Sequence, residues 1–162
     1  KKDNIPFKGF LFIGLMNVNG DPFVIEYNVR MGDPETQVVI PRIKNDFLKV
    51  LLSCIDMDLK NTKINIDRKT TSTVILSSKG YPEKYKKGFK ISGLKEIKNS
   101  IIFHAGTTEE EENILSNGGR VIACTGVGKN ISESLQVSYE LARKIDWEGK
   151  YYRKDIGKDL MK

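Results

Sequence analysis

The sequence has no apolar run approaching the roughly 20 residues that cross a bilayer, and no leader-like segment opens it. Cysteine is scarce. Cys54 and Cys124 stand far apart in apolar runs, with no CxxC and no histidine at ligand spacing. That excludes a disulfide framework and a zinc knot, and both thiols are expected to be reduced core residues of a cytoplasmic protein. Histidine is scarcer still: His104 alone would have to carry any His-based metal site or triad. FHAGT reads instead as a strand end with a packed or hydrogen-bonded imidazole. No basic stripe interleaves with aromatics, and 27 Lys+Arg against 21 Asp+Glu leave a scattered +6. This implies solubility and weak attraction for anions, with no nucleic acid and no membrane as partner. GVGK at 126–129 fails the G-x-x-x-x-G-K-[ST] pattern because Asn130 follows the lysine, so it reads as a strand-to-helix turn. The chain begins KKDNIP with no methionine before Met16, and a longer parent protein is expected.

What is present suffices for a core, since 39% of the 162 residues are hydrophobic, as one domain or two small ones. FLFIGLM (10–16) reads as a buried strand, NVNGD as an Asn-Gly turn and PFVIEYN as the returning strand of a hairpin. Pro34 suits a first helical position, with a short helix over Glu35 to Ile40 stopped by Pro41. Asn45 or Asp46 caps a further helix whose Phe47, Val50, Leu51, Cys54 and Ile55 share a buried face. The polar stretch Lys60 to Lys69 marks a boundary, giving domains 1–70 and 71–162.

Beyond it come short strands and glycine turns: TSTVILSS, KGYPEKYKKG, FKISGL and SIIFHAGT. TTEEEEN is expected to be a solvated acidic loop, and NGGR a hairpin turn into VIACTGV. Asn130 with Glu133 forms a capping-box variant. Ile131, Leu135, Ala142 and Ile145 mark one face of the following helix, with Ser138 interrupting the stripe and Tyr139 filling in. Trp147, Tyr151 and Tyr152 are expected to pack this second domain. The tail reads as charged and short, its Arg153, Lys154 and Asp155 supporting a site, closing on the core or standing in solvent. The fold class is α+β.

One stretch carries chemistry. In VIEYNVRMGDPETQ (24–37), Glu26, Asn28 and Arg30 alternate with Ile25, Tyr27 and Val29. On a strand the three polar groups share one face, with Glu26 and Asn28 Cα atoms roughly 6.7 Å apart. Two oxygen donors at that separation can converge on a hard cation such as Mg²⁺. Arg30 can hold a phosphate or carboxylate bidentately. One carboxylate and one amide hold Mg²⁺ weakly unless nucleotide phosphates complete the shell. Spacing leaves this reading open beside a half-exposed strand with a polar outer face.

GFLFIGLM, VIEYNVRMGDPETQ, GYP, FHAGT, NGGRV and YRKDIG occur in one order, and N-x-R-x-GDPETQ is the specific part. The series resembles the C-terminal portion of the glycinamide ribonucleotide synthetase (phosphoribosylamine–glycine ligase) family, in the ATP-grasp superfamily. The resemblance spans nearly the whole chain. It implies the closing hairpin and helices of an ATP-grasp domain over 1–70, and a small β-rich C-terminal domain with a helix over 71–162. The implied activity is ATP-dependent joining of glycine to phosphoribosylamine through a glycyl phosphate, in de novo purine synthesis. It also implies Glu26 and Asn28 as ligands of Mg²⁺ or Mn²⁺, and Arg30 as catalytic and substrate-binding near the transferred phosphoryl. Asp33 and Glu35 would orient an amine substrate, and Ile25 would border the adenine slot, though core packing accounts for Ile25 as well.

Two departures from the family pattern stand out. GFLFIGLM lacks the acidic ligand that many ATP-grasp enzymes carry on that strand, as is usual in the ligase family it resembles. The ATP-clamping lysines and glycine-rich loop, and most of the ribosyl-phosphate site, would belong to an N-terminal part that these 162 residues do not contain. The chain alone is therefore expected to be inactive. The alternatives are another ATP-grasp carboxylate–amine ligase or carboxylase, and a non-catalytic basic binding module.

Overall fold

Asn19 and Gly20 take φ of 55° and 99°, the left-handed pair that a two-residue hairpin turn demands. They join β1 (Phe12–Val18) to β2 (Asp21–Asn28), with Val18 opposite Asp21. The computed structural model describes residues 3–95, 97 and 100–161. Its described residues up to Asp67 form one compact unit and those from Arg68 a second. Mixed helices and antiparallel sheets make the class α+β.

In the first unit the hairpin register shifts between Gly14 and Leu15, so that Gly14 faces Glu26, Leu15 faces Val24, and Ile25 is left as an extra residue. That is a β-bulge. The short helix α1 (Thr36–Val39) begins after a turn containing Pro34, so Pro34 precedes the helix and does not open it. Pro41 does not stop the chain's coiling either. It sits at the start of a 3-10 turn, Ile40–Arg42, where its missing N–H costs nothing. Asp46 caps α2 (Phe47–Ile55), accepting from the Lys49 N–H at 3.3 Å. Asn45 instead donates to the Lys63 carbonyl at 3.0 Å and accepts from the Asn65 N–H at 2.7 Å. Of the face expected to be buried on α2, Val50 is buried and Phe47, Leu51 and Cys54 are half-buried. Ile55, the last residue of the helix, is 57% exposed and does not share the buried face. FLFIGLM is not a buried strand: Leu15 is 56% exposed, since β1 and β2 pair only with each other in a two-stranded sheet.

The second unit is built on β3 (Thr70–Ser78), β4 (Ile101–His104), β7 (Arg120–Gly128) and β8 (Lys150–Tyr151), hydrogen-bonded in the order β4-β7-β3-β8, with β5 (Thr107–Glu110) and β6 (Asn113–Ser116) as a separate hairpin. TTEEEEN is thus a hairpin and not a loop, with Glu111 at φ 54° in its turn, although its glutamates remain solvated. NGGR does not close a hairpin, because β6 pairs with β5 while β7 pairs with β3 and β4. It carries the chain from one sheet to the other. FKISGL contributes only isolated bridges, Lys90 to Leu115 and Ser92 to Asp146.

Helix α3 (Ile131–Lys144) lies on β3 and β7. Its cap is the expected pair: Asn130 accepts from the Glu133 N–H at 2.9 Å, and Glu133 accepts from the Lys129 N–H at 2.9 Å. Cross-strand neighbours Val74 with Cys124 and Leu76 with Ile122 meet Leu141, Ala142 and Ile145 in the core. Each such fully buried aliphatic side chain contributes about 1.5–3 kcal/mol.

Ser138 does not interrupt the helix stripe. It is fully buried, its Oγ accepting from the Gly126 N–H at 2.8 Å and lying 2.8 Å from Ser72 Oγ. A Cβ on Gly126 would collide with the Ser134 carbonyl and stand 2.7 Å from Ser138 Oγ, so backbone meets backbone where an apolar side chain would not fit. Tyr139 is half-buried and reaches the tail, donating to the Arg153 carbonyl at 3.3 Å. The tail is not simply solvated. Lys150 and Tyr151 pair with Ser78 and Ser77, Trp147 is 5% exposed, and Tyr152 packs on the core, whereas Tyr151 is 56% exposed.

Gly126→Ala should push α3 off the sheet and cost about 3 kcal/mol, lowering Tm by roughly 10–20 °C in a thermal melt followed by circular dichroism. An unchanged melt would show that helix and sheet do not need this contact distance. Cys124 gives a second test. Burial pushes its thiol up from 9.0 to about 12, against a weaker pull from the Lys150 ammonium. The folded chain should therefore expose only Cys54 to a thiol reagent at pH 8, and both after denaturation. Because the folded pKa is the higher one, this proton's contribution to stability is intact below pH 9.0 and is lost as pH rises toward about 12. Rapid labelling of Cys124 in the folded state would overturn the assignment.

Candidate functional site

The side chains singled out in VIEYNVRMGDPETQ all belong to the first unit, on β2 and the loop that follows it. Glu26 and Asn28 stand opposite Gly14 and Phe12, two residues apart on the same strand face. Glu26 is exposed and Asn28 half-buried, and neither side chain makes a hydrogen bond or ion pair among the described residues. Their oxygens are available to a ligand.

Ladder pairing ends at Asn28, and Val29 and Arg30 form a bend, so strand alternation does not extend to Arg30. Its Nη1 donates to the Met31 carbonyl at 3.0 Å, and no carboxylate pairs with it among the described residues. Ile25 is the bulge residue, 63% exposed, and is not packed in a core.

The GDPETQ loop holds itself in shape. The Thr36 hydroxyl and N–H both donate to the Gly32 carbonyl, at 2.5 and 2.9 Å. Gln37 Nε2 donates to Asp33 Oδ1 at 3.0 Å, which fixes that carboxylate beside α1. Glu35 is exposed and precedes the helix as its N-cap residue without capping it. Its carboxylate lies over Gly32, where a Cβ would strike Glu35 Oε2 and come within 3.0 Å of the Phe12 ring. Gly32 thus lets the loop fold against the start of β1.

Sequence reasoning passed over Gly14 and Gly32. A glycine inside an otherwise apolar strand is itself a signal of a bulge or a close approach, and GFLFIGLM carried it.

Residues elsewhere offer less. His104 is exposed at the end of β4, its Nδ1 3.1 Å from Thr107 Oγ1. GVGK is not the strand-to-helix turn: Gly126 to Gly128 are the last residues of β7, paired with β3, and only Lys129 and Asn130 form the bend into α3, with Gly128 packed against Ser134 and Glu133. Arg153 and Asp155 form a bidentate pair at 3.0 and 2.7 Å, and the arginine's hydrogen bonds hold the Asp155 carboxyl below its usual range. Among the described residues, no group of three or more His, Cys, Asp and Glu is placed to hold a metal, and no helix is long and apolar enough to cross a membrane.

Two family models match the chain: "Phosphoribosylglycinamide synthetase, C domain" over residues 71–159 and "Phosphoribosylglycinamide synthetase, ATP-grasp (A) domain" over residues 1–36. The phosphoribosylamine–glycine ligase of Caldanaerobacter subterraneus subsp. tengcongensis is 44% identical over 156 residues, covering 96% of this chain and 37% of that protein. The bifunctional purine biosynthetic protein purD of Dictyostelium discoideum is 45% identical, covering 99% of this chain and 21% of that protein. Among solved structures, a phosphoribosylamine–glycine ligase from Thermotoga maritima superposes with a TM-score of 0.80 at 36% identity, over 95% of this chain and 38% of that one. The chain thus spans little more than a third of the single-enzyme relatives it matches.

Proposed function

Because the chain belongs to the phosphoribosylglycinamide synthetase family, whose C domain it matches over residues 71–159, we propose that it acts as part of a ligase joining glycine to phosphoribosylamine with ATP. The γ-phosphoryl of ATP passes to a glycine carboxylate oxygen and ADP leaves. The amine of phosphoribosylamine then attacks the activated carbonyl, an amide bond forms and phosphate departs. The site is cytoplasmic in this reading. The remaining ATP and ribosyl-phosphate contacts come from the rest of a longer polypeptide, which also covers the apolar side chains of β1 and β2, such as Leu15 and Tyr27, 56% and 64% exposed here.

The observation that carries the reading is the pair Glu26 and Asn28. They present unengaged hard oxygen donors on one strand face, immediately before the GDPETQ loop. Their chemistry fits Mg²⁺ or Mn²⁺, which take oxygen ligands. With a single carboxylate among them, the nucleotide phosphates must supply the other ligands. When bound, the metal neutralises charge on the transferring phosphoryl. Glu26 and Asn28 hold that charge in register with the chain. Arg30, paired with no carboxylate among the described residues, steadies the phosphoryl or the carboxylate that receives it. Asp33, fixed by Gln37, and Glu35 orient the incoming amine, and Ile25 offers an apolar edge to the adenine.

The test is ADP release by the full-length protein with glycine and freshly generated phosphoribosylamine, separately and together. Release should require both substrates and a divalent cation. Glu26→Ala should lower the rate by a hundredfold or more, on the order of the loss of a principal charge-stabilising group. Release that ignores phosphoribosylamine would turn the reading toward another carboxylate–amine ligase. Near-normal turnover by Glu26→Ala at saturating Mg²⁺ would remove the metal role.

A further inference from the structure

We propose that Gly14 is a positioning residue for Glu26: its missing side chain is the space that the Glu26 carboxylate arm uses to reach the metal. The inference rests on the reading of Glu26 as a metal ligand. In the hairpin register Gly14 lies directly across from Glu26, and directly opposed residues project to the same face. A Cβ built on Gly14 would stand 3.0 Å from Glu26 Cγ, tighter than ordinary packing, while the Glu26 backbone N and O would lie at 3.7 Å. The conflict is therefore with the side chain and not with the sheet. The glycine also stands between Ile13 and Leu15 in a strand, where it weakens the strand relative to alanine, so its presence calls for a reason of this kind.

The bulge makes the pairing specific. Continued without a shift from the turn, the register that sets Val18 against Asp21 would put Ile13 across from Glu26. The extra residue Ile25 moves Glu26 along to the one position on β1 that has no side chain. Asn28 faces Phe12, so the space beside Glu26 is the asymmetric feature of the pair.

The experiment measures Mn²⁺ binding by electron paramagnetic resonance in the full-length protein, with a non-hydrolysable ATP analogue, for wild type, Gly14→Ala, Gly14→Val and Glu26→Ala. Gly14→Ala should weaken Mn²⁺ by about tenfold, as loss of an orienting neighbour does, and Gly14→Val by more. Binding of the analogue in excess chelator should stay at the wild-type value in Gly14→Ala and the thermal midpoint should not fall, which a purely structural role would not allow. If Glu26→Ala loosens Mn²⁺ while Gly14→Ala does not, the positioning role is wrong and the metal reading stands. If Glu26→Ala leaves Mn²⁺ unchanged, the metal reading falls and takes this inference with it. Equal loss of chelator-insensitive nucleotide binding in Gly14→Ala would assign the glycine to folding alone and overturn the proposal.

Discussion

Gly14 pairs with Glu26 and Leu15 with Val24, and the unmatched Ile25 between them decides which residues of β2 face which residues of β1. The two-residue Asn19-Gly20 turn fixes the register from one end, and the bulge resets it halfway. A shift of one position on a strand exchanges its faces, so every polar side chain beyond the bulge owes its partner to that extra residue. The GDPETQ loop is built outward from the same end. Gly32 packs beside Phe12, the first residue of β1, and Thr36 closes the turn onto the Gly32 carbonyl. The backbone positions of Glu26, Asn28, Asp33 and Glu35 are thus set by local geometry, and of their side chains Asp33 is tied down by Gln37.

The second unit obeys a different constraint, the distance between a helix and a sheet. Gly126 and Gly128 on β7 admit the α3 backbone where Ser134 and Ser138 cross them. A close approach of this kind puts polar backbone in a dry interior, and each such group needs a partner. Ser138 supplies one, accepting from Gly126 and sharing hydrogen bonds with Ser72 on β3. The serines are therefore part of the packing face, between the aliphatic contacts of Leu135 and of Leu141 with Ala142. Reading hydrophobic period alone leaves a gap there, because the residue that fits against a glycine is small and hydrogen-bonded.

That contrast explains what the sequence disclosed. The hairpin turn, the Asp46 and Asn130 caps, α3 and the strands β3 and β7 follow from neighbours within a few residues, and the structure has them all. The hairpin at TTEEEEN was hidden because four glutamates suppress a strand reading, whereas Thr107 pairing with Ser116 and Thr108 with Leu115 depends on residues farther along. NGGR looked like a hairpin turn because its chemistry is that of one. Which strand β7 joins is a long-range choice that no four residues record. In the candidate site, residue types and order were legible, and the alternation holds from Glu26 to Asn28. It does not extend to Arg30, because the ladder stops two residues earlier.

The group Glu26, Asn28 and Arg30 is nearly neutral in itself: Glu26 brings one negative charge, Asn28 none, and Arg30 a positive one close by in the chain. A divalent cation gains little from such a place in water, where even unit charges 4 Å apart interact by only about 1 kcal/mol. With nucleotide phosphates present the balance reverses, since they bring both negative charge and further oxygen ligands. In the proposed reading metal and nucleotide binding are coupled, each raising the affinity for the other by the same factor. Under the proposed coupling Glu26 would serve to aim charge that the nucleotide largely supplies. Aim depends on the freedom of one side chain, and that returns to the empty position across the strand at Gly14.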